Sequence, residues 1–551
     1  MKIDARQIIA RYENLESLRG EWEGIWQQCS DYVLPRSGQR NRKNAYVMDS
    51  TAPLALGRFA AAMESSLTPR TLKWHSLITG VAYLDQDQEV QRYLEMITDI
   101  LFKARYAPGA NFANQIQECY LSLGVHGTAV LYIDDDLGRG LRYRSIPVHE
   151  VCLSADAAGR VDTVFRLYKL TACQAREEFG DDLPDNIIKD AEDERRMETE
   201  HEFIHGVFPR TGPPRHGFAA DKRYCSVHIA RAARQIVRQG GYRVMPYAVS
   251  RFAVAPGEVY GRGPAMDVMP DIVVLNAMVK SLLRSAEKMV NPPLLLAEED
   301  LLNAFSLKAG SLNYGGLDQE RRPLVQPLQL GGNLAYGLEM IEQSRKVINE
   351  AFYINLFQIL VENPQQTATE VVERAQEKAQ LLAPATGRQN SELLRAVIER
   401  ELDILVAAGA LEGLEMPEAL AEAGGVQVMP KYETQMAKAL DSGDGVAILQ
   451  AMQGLVALSQ ADPAVLQILN APAAARDVCR SLGVPARDLR TEKEMAELEK
   501  QRQEAEQAAM MMQQAQMAIG GLQGLAGAEK DLQESRAVAG GMPQGVAGLM
   551  Q

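Results

Sequence analysis

Reactive residue types gather at only a few places in this sequence. His201-Glu202-Phe203-Ile204-His205 fits H-E-x-x-H, in which one helical face presents two imidazoles to zinc and the glutamate acts as base. The flanking residues, Glu200 to Pro209, alternate like a strand, and Gly206 and Pro209 stop any helix there. A strand gives the imidazoles the wrong spacing. Thr211 stands six positions beyond His205, where a third ligand belongs, no glutamate recurs before Glu258, and His216 or His228 would have to substitute. A zinc hydrolase using His201, Glu202 and His205 is thus the minor alternative to a half-buried strand with two ordinary histidines.

Phosphate and nucleophile chemistry fare no better. Arg36, Arg40, Arg42 and Lys43 crowd a stretch rich in turn formers, which reads as a solvated loop in preference to an anion site. G-x-x-x-x-G-K-[ST] is absent, so no ATP hydrolysis is expected here. Gly261-Arg262-Gly263-Pro264 lacks the third glycine of a dinucleotide fingerprint and reads as a turn that opens a helix. No G-x-S-x-G occurs, and neither Cys29 nor Cys479 has a recognisable histidine partner. The six cysteines, Cys29, Cys119, Cys152, Cys173, Cys225 and Cys479, never form C-x-x-C and read as free thiols in a reducing cytosol. The expectation is a protein with no catalytic residue, no metal and no cofactor.

Composition narrows the remaining classes. With 46% hydrophobic and 24% charged residues, most of the 551-residue chain should fold. Its 58 Lys+Arg against 72 Asp+Glu leave a formal charge of -14, which disfavours tight binding of nucleic acid through phosphate neutralisation. The N-terminus carries charge throughout and lacks the apolar core of a signal peptide. The uncharged stretch Gln507 to Ala528 holds five Gln and four Gly, too polar for a bilayer, so no stable membrane insertion is expected.

Periodicity supplies the elements. Ile8, Tyr12, Leu15, Leu18, Trp22 and Ile25 predict an opening amphipathic helix that buries one face. Helical patterning to about Ser122 gives way to strand-like runs from Gly127 to Ala255, so residues 1–262 read as one α+β domain. From Pro264, apolar residues at Val268, Ile272, Leu275, Val279, Leu282, Ala286 and Met289 predict a long helix seeking a neighbour, stopped by Asn291-Pro292-Pro293. A compact insertion at 291–334 precedes a second long helix at 335–361, lined by Leu338, Ile341, Ile348, Phe352, Leu356 and Ile359. Thr367 and Glu370 have capping-box spacing and start a third helix, bent at Ala383-Pro384 and running to about Leu411. A smaller helical unit at 430–484 and a polar helix from about Arg490 follow, with Met510 to Met512 as filler or a soft contact surface. Eight Gly among the 33 residues of 519–551 make a loose tail.

This order of parts resembles the portal proteins of tailed bacteriophages, in particular the head-to-tail connectors of short-tailed, T7-like phages. The resemblance covers residues 5–518 and is carried by GTAVLYID at 127–134, VYGRGP at 259–264, VNPP at 290–293, TATEV at 367–371 and the polar helix near the end. It implies a portal fold, α+β and mainly helical, assembling into a ring. The wing would be 1–262, the stem helices 263–290 and 335–361, and the clip 291–334. Residues 362–411 would be the tunnel loop and a bent helix returning to the wing, 412–484 the crown, 485–518 a barrel helix and 519–551 a flexible tail.

The same resemblance implies a non-enzymatic role in the virion, at one capsid vertex, after synthesis in the cytoplasm of the bacterial host. About twelve copies would close head to tail around a pore that passes double-stranded DNA without sequence preference during packaging and ejection. Partners would be the terminase motor, head-tail adaptor and tail proteins, and the major capsid and scaffolding proteins. Glu362, Asn363, Gln365 and Gln366 would line the channel without a cation to grip phosphate. Glu298, Glu299, Asp300, Asp318, Glu320, Arg321 and Arg322 would dock motor or tail. A helical scaffold or adaptor with no DNA conduit is the alternative that shares the long helices.

Overall fold

The computed structural model describes residues 4–34, 47–135, 140–210, 222–296, 334–355, 386–424, 428–433, 448–455, 470–481 and 494–512, and isolated positions between 306 and 327 and between 484 and 490. Helix α1 (Ala5–Val33) is capped by Asp4, whose carboxylate accepts from the Arg6 amide at 3.0 Å. Its buried line runs through Ile8, Tyr12, Arg19, Trp26, Cys29 and Val33. Leu18 and Ile25, expected inside, are instead 64% and 43% exposed. Arg19 takes the inward position because its guanidinium donates to the Val151 carbonyl at 3.2 Å and pairs with Glu23.

Helices α2 (Thr51–Leu67), α3 (Ala82–Gln86), α4 (Gln88–Arg105) and α5 (Phe112–His126) follow, with strand β1 (His75–Ile78) between α2 and α3. They pack around Trp74, Phe59, Phe112 and Tyr120, all essentially inaccessible to water. Two antiparallel sheets complete the body. One orders β3 (Leu141–Ile146), β2 (Thr128–Asp135) and β9 (Tyr247–Arg251); the other orders β4 (Val151–Ala155), β5 (Val161–Thr171), β6 (Glu200–Pro209), β7 (Tyr224–Ala230) and β8 (Gln235–Tyr242). Within the strand-like stretch that ends near Ala255, Tyr242 ends β8 while Tyr247 begins β9 in the other sheet. Helices α6 (Ala172–Phe179), opened by a Thr171/Gln174 capping box, and α7 (Asp185–Glu192) cover the end of the larger sheet.

After the short α8 (Pro264–Asp267), with Pro264 at its first turn as the sequence predicts, comes α9 (Met269–Val290). Strands β10 (Leu294–Leu296) and β11 (Val325–Pro327) pair antiparallel beyond it, and α10 (Leu334–Ala351) runs back along α9. The helical run is interrupted at a turn, where Tyr353 has φ 59°, and Ile354 and Asn355 are helical again. Phe352 is buried against Phe59 at 6.2 Å and Tyr353 meets Phe252 at 6.0 Å, so docking of two aromatic rings accompanies the interruption. Residues 356–361, the Thr367/Glu370 capping box and Pro384 lie outside the described residues.

The return to the body differs from a plain α-helix. A π-helical turn, Gln389–Leu394, leads into the helix Arg395–Ala407. Gln389 accepts from the Ser250 hydroxyl at 2.6 Å and donates to the Arg251 carbonyl at 3.1 Å, while Glu392 takes the Arg251 guanidinium at 2.7 Å. Both therefore grip β9, and the wide turn serves that grip. Residues 430–432, expected to begin a helical unit, instead belong to strand β12 (Met429–Tyr432), which pairs with β1 in the register His75↔Tyr432. Further along, 448–455, Ala471–Ser481 and 494–512 are helical. No described helix is long and apolar enough to cross a membrane.

Candidate functional site

The projecting pair α9 and α10 is the element that function must explain, and its root is built by glycines. Gly127, at φ +67°, ends α5 in a left-handed turn, and a Cβ there would stand 2.3 Å from the Arg262 carbonyl carbon. A Cβ on Gly263 would stand 2.5 Å from the Leu123 carbonyl oxygen. The Gly261 amide donates to Thr128 Oγ1 at 2.8 Å. The stretches 127–134 and 259–264, far apart in sequence, thus cross backbone to backbone where α8 leads into the arm.

Side chains lock the root from the other direction. Asn276 of α9 accepts the amides of Met48 and Asp49 at 2.6 and 3.1 Å and donates to the Ile272 carbonyl at 2.8 Å. Arg345 of α10 donates to Asp49 at 2.8 Å. Burial works against the Asp49 carboxylate, but Thr51 and Arg345 hold it below the usual carboxylate range. One short segment before α2 therefore binds both arm helices.

Burial then fades along the arm. Ile272 and Leu275 are buried, Val279 and Leu282 partly so, and Met289 is exposed. Val274, Leu283, Tyr336 and Leu338 are 51%, 55%, 63% and 53% exposed. At about 100° per residue Val274 and Leu283 lie on opposite sides of α9, as do Tyr336 and Leu338 on α10, so apolar side chains are exposed on both flanks of the arm. At the tip, Arg322 pairs with Glu320 at 2.7 Å in full view of solvent. Glu298, Glu299, Asp300, Asp318 and Arg321 lie outside the described residues, as do Glu362, Asn363, Gln365 and Gln366.

The histidine motif lies on strand β6, not on a helix. His201 Nε2 is 3.2 Å from Asp190, Glu202 pairs with Arg231 at 3.1 Å, and buried His205 bonds to the Tyr247 and Ser226 hydroxyls at 2.7 and 3.0 Å. Burial, then the neighbouring His228, pushes the His205 pKa well down. Among the described residues no group of three or more His, Cys, Asp or Glu could hold a metal. The thiols of Cys29, Cys119 and Cys152 are buried, which pushes each up to about 12 and makes them poor nucleophiles.

Sequence reasoning missed two constellations. Arg105 and Glu401, both fully buried, form a two-pronged ion pair at 2.9 and 2.5 Å, with the Tyr143 hydroxyl donating to Glu401 at 2.5 Å. Arg166, His205, His228 and Arg238 occupy one cross-strand row of the larger sheet. Neither has a local signal, because pairing partners come from distant segments.

Comparison with known proteins identifies the family. The sequence profile of the family described as "Bacteriophage head to tail connecting protein" matches residues 5–489. The "Probable portal protein" of Bordetella phage BPP-1 is 28% identical over 519 residues, covering 92% of each chain. The "Portal protein" of Salmonella phage epsilon15 is 24% identical over 536 residues, covering 94% of each. A chain from the neck of an empty GTA particle aligns with 81% of this chain and 94% of its own at 13% identity and a TM-score of 0.37, a likeness too weak to carry an argument. With 5–489 matched, most of its length, the chain belongs to the bacteriophage head to tail connecting protein family.

Proposed function

We propose that the chain is the repeating unit of a portal ring at one capsid vertex of a tailed phage, through which double-stranded DNA is packaged and later ejected. Its role is structural. The observation that carries this reading is the arm: two long helices, pinned at the root by Asn276, Asp49 and Arg345, keep Val274, Leu283, Tyr336 and Leu338 exposed on a lone subunit. A head-to-tail cyclic contact, in which one face of the arm meets the opposite face of the next copy, would cover them. About twelve copies would close such a ring.

Around that pore, residues 362–411 would supply the channel loop, with Glu362, Asn363, Gln365 and Gln366 toward DNA. A conduit must pass phosphate without holding it, and each cation placed on the wall strengthens binding through counter-ion release. The chain's charge of -14 suits sliding. The arm tip, residues 291–334 with its Glu320–Arg322 pair, would dock the terminase motor and then the head-tail adaptor and tail proteins. The body, 1–262, would face the major capsid protein and, during assembly, the scaffolding protein.

Native mass measurement with electron microscopy of the purified chain tests the reading. Closed rings with an axial opening are expected; monomers, dimers or filaments lacking a pore would replace it with a scaffold or adaptor role.

A further inference from the structure

A cleft of about 220 Å³ opens between the two sheets of the body. Its floor carries Arg166 on β5, His205 opposite it on β6 and His228 opposite that on β7, while Arg238 on β8, opposite His228, continues the row beyond the cleft lining. Residues directly opposite in a sheet project from the same face, so four basic side chains cross four strands at one level. The facing wall comes from the smaller sheet, where Arg144 lies opposite Tyr132 and Tyr132 opposite Tyr247.

The floor is held rigidly. The His205 and His228 rings stack at 4.0 Å and 7°, and both His205 nitrogens are bonded, to Tyr247 and Ser226. The Tyr168 hydroxyl meets His228 Nδ1 at 3.0 Å. With that hydroxyl donating, the His228 proton sits on Nε2, which has no partner among the described residues.

The charges are unevenly answered. Arg166 pairs with Glu150 at 2.9 Å, whereas Arg144 and Arg238 have no ion-pair partner among the described residues. Asp134, which also lines the cleft, is engaged by the Tyr132 hydroxyl at 2.6 Å and by Arg400 at 3.4 Å. Asp135 and Arg142 complete the polar lining. On α6, Glu178 stands at the rim; burial pushes its carboxyl up while Arg238, Arg144 and Arg166 pull it down. Guanidinium forks and an imidazole N–H lining one cleft suit a tetrahedral anion.

We propose that this cleft binds a phosphate-class oxyanion, seated between Arg144 and Arg166 over the His205–His228 stack, with Arg238 adding positive charge from the adjoining strand and Glu178 as the resident competitor. A free phosphate ion and a phosphate on a polynucleotide present the same chemistry there.

The test is thermal unfolding of the full chain during titration with inorganic phosphate, against chloride at matched ionic strength, with a short DNA duplex as a separate arm. Tm should rise with phosphate and not with chloride. R144Q should weaken the apparent affinity by about tenfold or more, and E178Q should strengthen it by a similar factor. A duplex response that R144Q removes assigns the phosphate to a polymer; a response to inorganic phosphate alone assigns a free ion. Equal shifts in chloride, or a phosphate response indifferent to both substitutions, overturns the proposal. If R144Q lowers Tm without ligand, E178Q still decides, because Glu178 makes no ion pair among the described residues for its loss to break.

Discussion

Arg105 of α4 and Glu401 of the returning helix meet with no solvent access on either side, two hydrogen bonds apart, under the rings of Trp74 and Phe102 at 4.5 and 4.8 Å from the guanidinium carbon. This pair fastens the segment after the arm to the helical body before it. Glu401→Gln should destabilise the fold by about 3–5 kcal/mol, since it leaves a buried guanidinium uncompensated. Replacing both, Arg105→Met with Glu401→Leu, should recover much of the loss. Chemical denaturation of the three variants measures this, and a double variant worse than E401Q would contradict it.

The arm root gives a second prediction. Asn276→Ala strands the Met48 and Asp49 amides and should remove on the order of 1–3 kcal/mol. Hydrogen exchange should rise first at residues 47–51, before the sheets respond.

Glycine substitutions separate close approach from spare freedom. Gly127→Ala should lower stability by about 2–5 kcal/mol, through left-handed strain and a collision with the Arg262 backbone. Gly24→Ala, in mid-helix with nothing within 4 Å, should raise it by about 0.5–1 kcal/mol. Melting curves of the two variants should move in opposite directions.

Acid should weaken the body. Burial pushes His126 to about 4 and His228 to about 3, and holds His75, beside Arg105, and His205, between Arg166 and His228, well below their ordinary value. Each is neutral when folded and takes a proton more readily when unfolded. Stability is therefore full above about pH 6.5 and falls as pH drops toward the folded values. For His126 the full loss is on the order of 3 kcal/mol, so His126→Asn should flatten the pH dependence of unfolding between about pH 6.5 and 4 by that amount.

Assembly should respond separately from folding. Leu283→Glu on the exposed arm face should leave single-subunit stability within about 0.5 kcal/mol while shifting native mass from rings to monomers. Unchanged rings would mean that this face meets no neighbour.

Much of the body and arm was legible in the sequence, because residues that pack locally leave periodic traces. Pro264, Ile272, Leu275 and the strand at His201–His205 lie where pattern and turn chemistry put them. What escaped depends on distant partners. Leu18 and Ile25 fit the helical stripe, yet Arg19 faces inward because Val151 offers it a carbonyl. Met429–Tyr432 has no strand signature of its own, and only β1 makes it one. Tyr353 turns the chain because Phe59 and Phe252 receive aromatic rings. Of the residues expected to serve docking, Glu320 and Arg322 pair with each other, a contact the sequence did not suggest.

The β1–β12 clasp also dictates an order of birth. Residues 75–78 leave the ribosome long before 429–432, and at roughly 5–20 residues per second the interval runs to tens of seconds. The nascent arm is therefore extruded while one edge of the body is still waiting for its mate. A truncated translation product ending before Met429 would be left with an open hem, so the body's closure waits on a segment made after the whole arm.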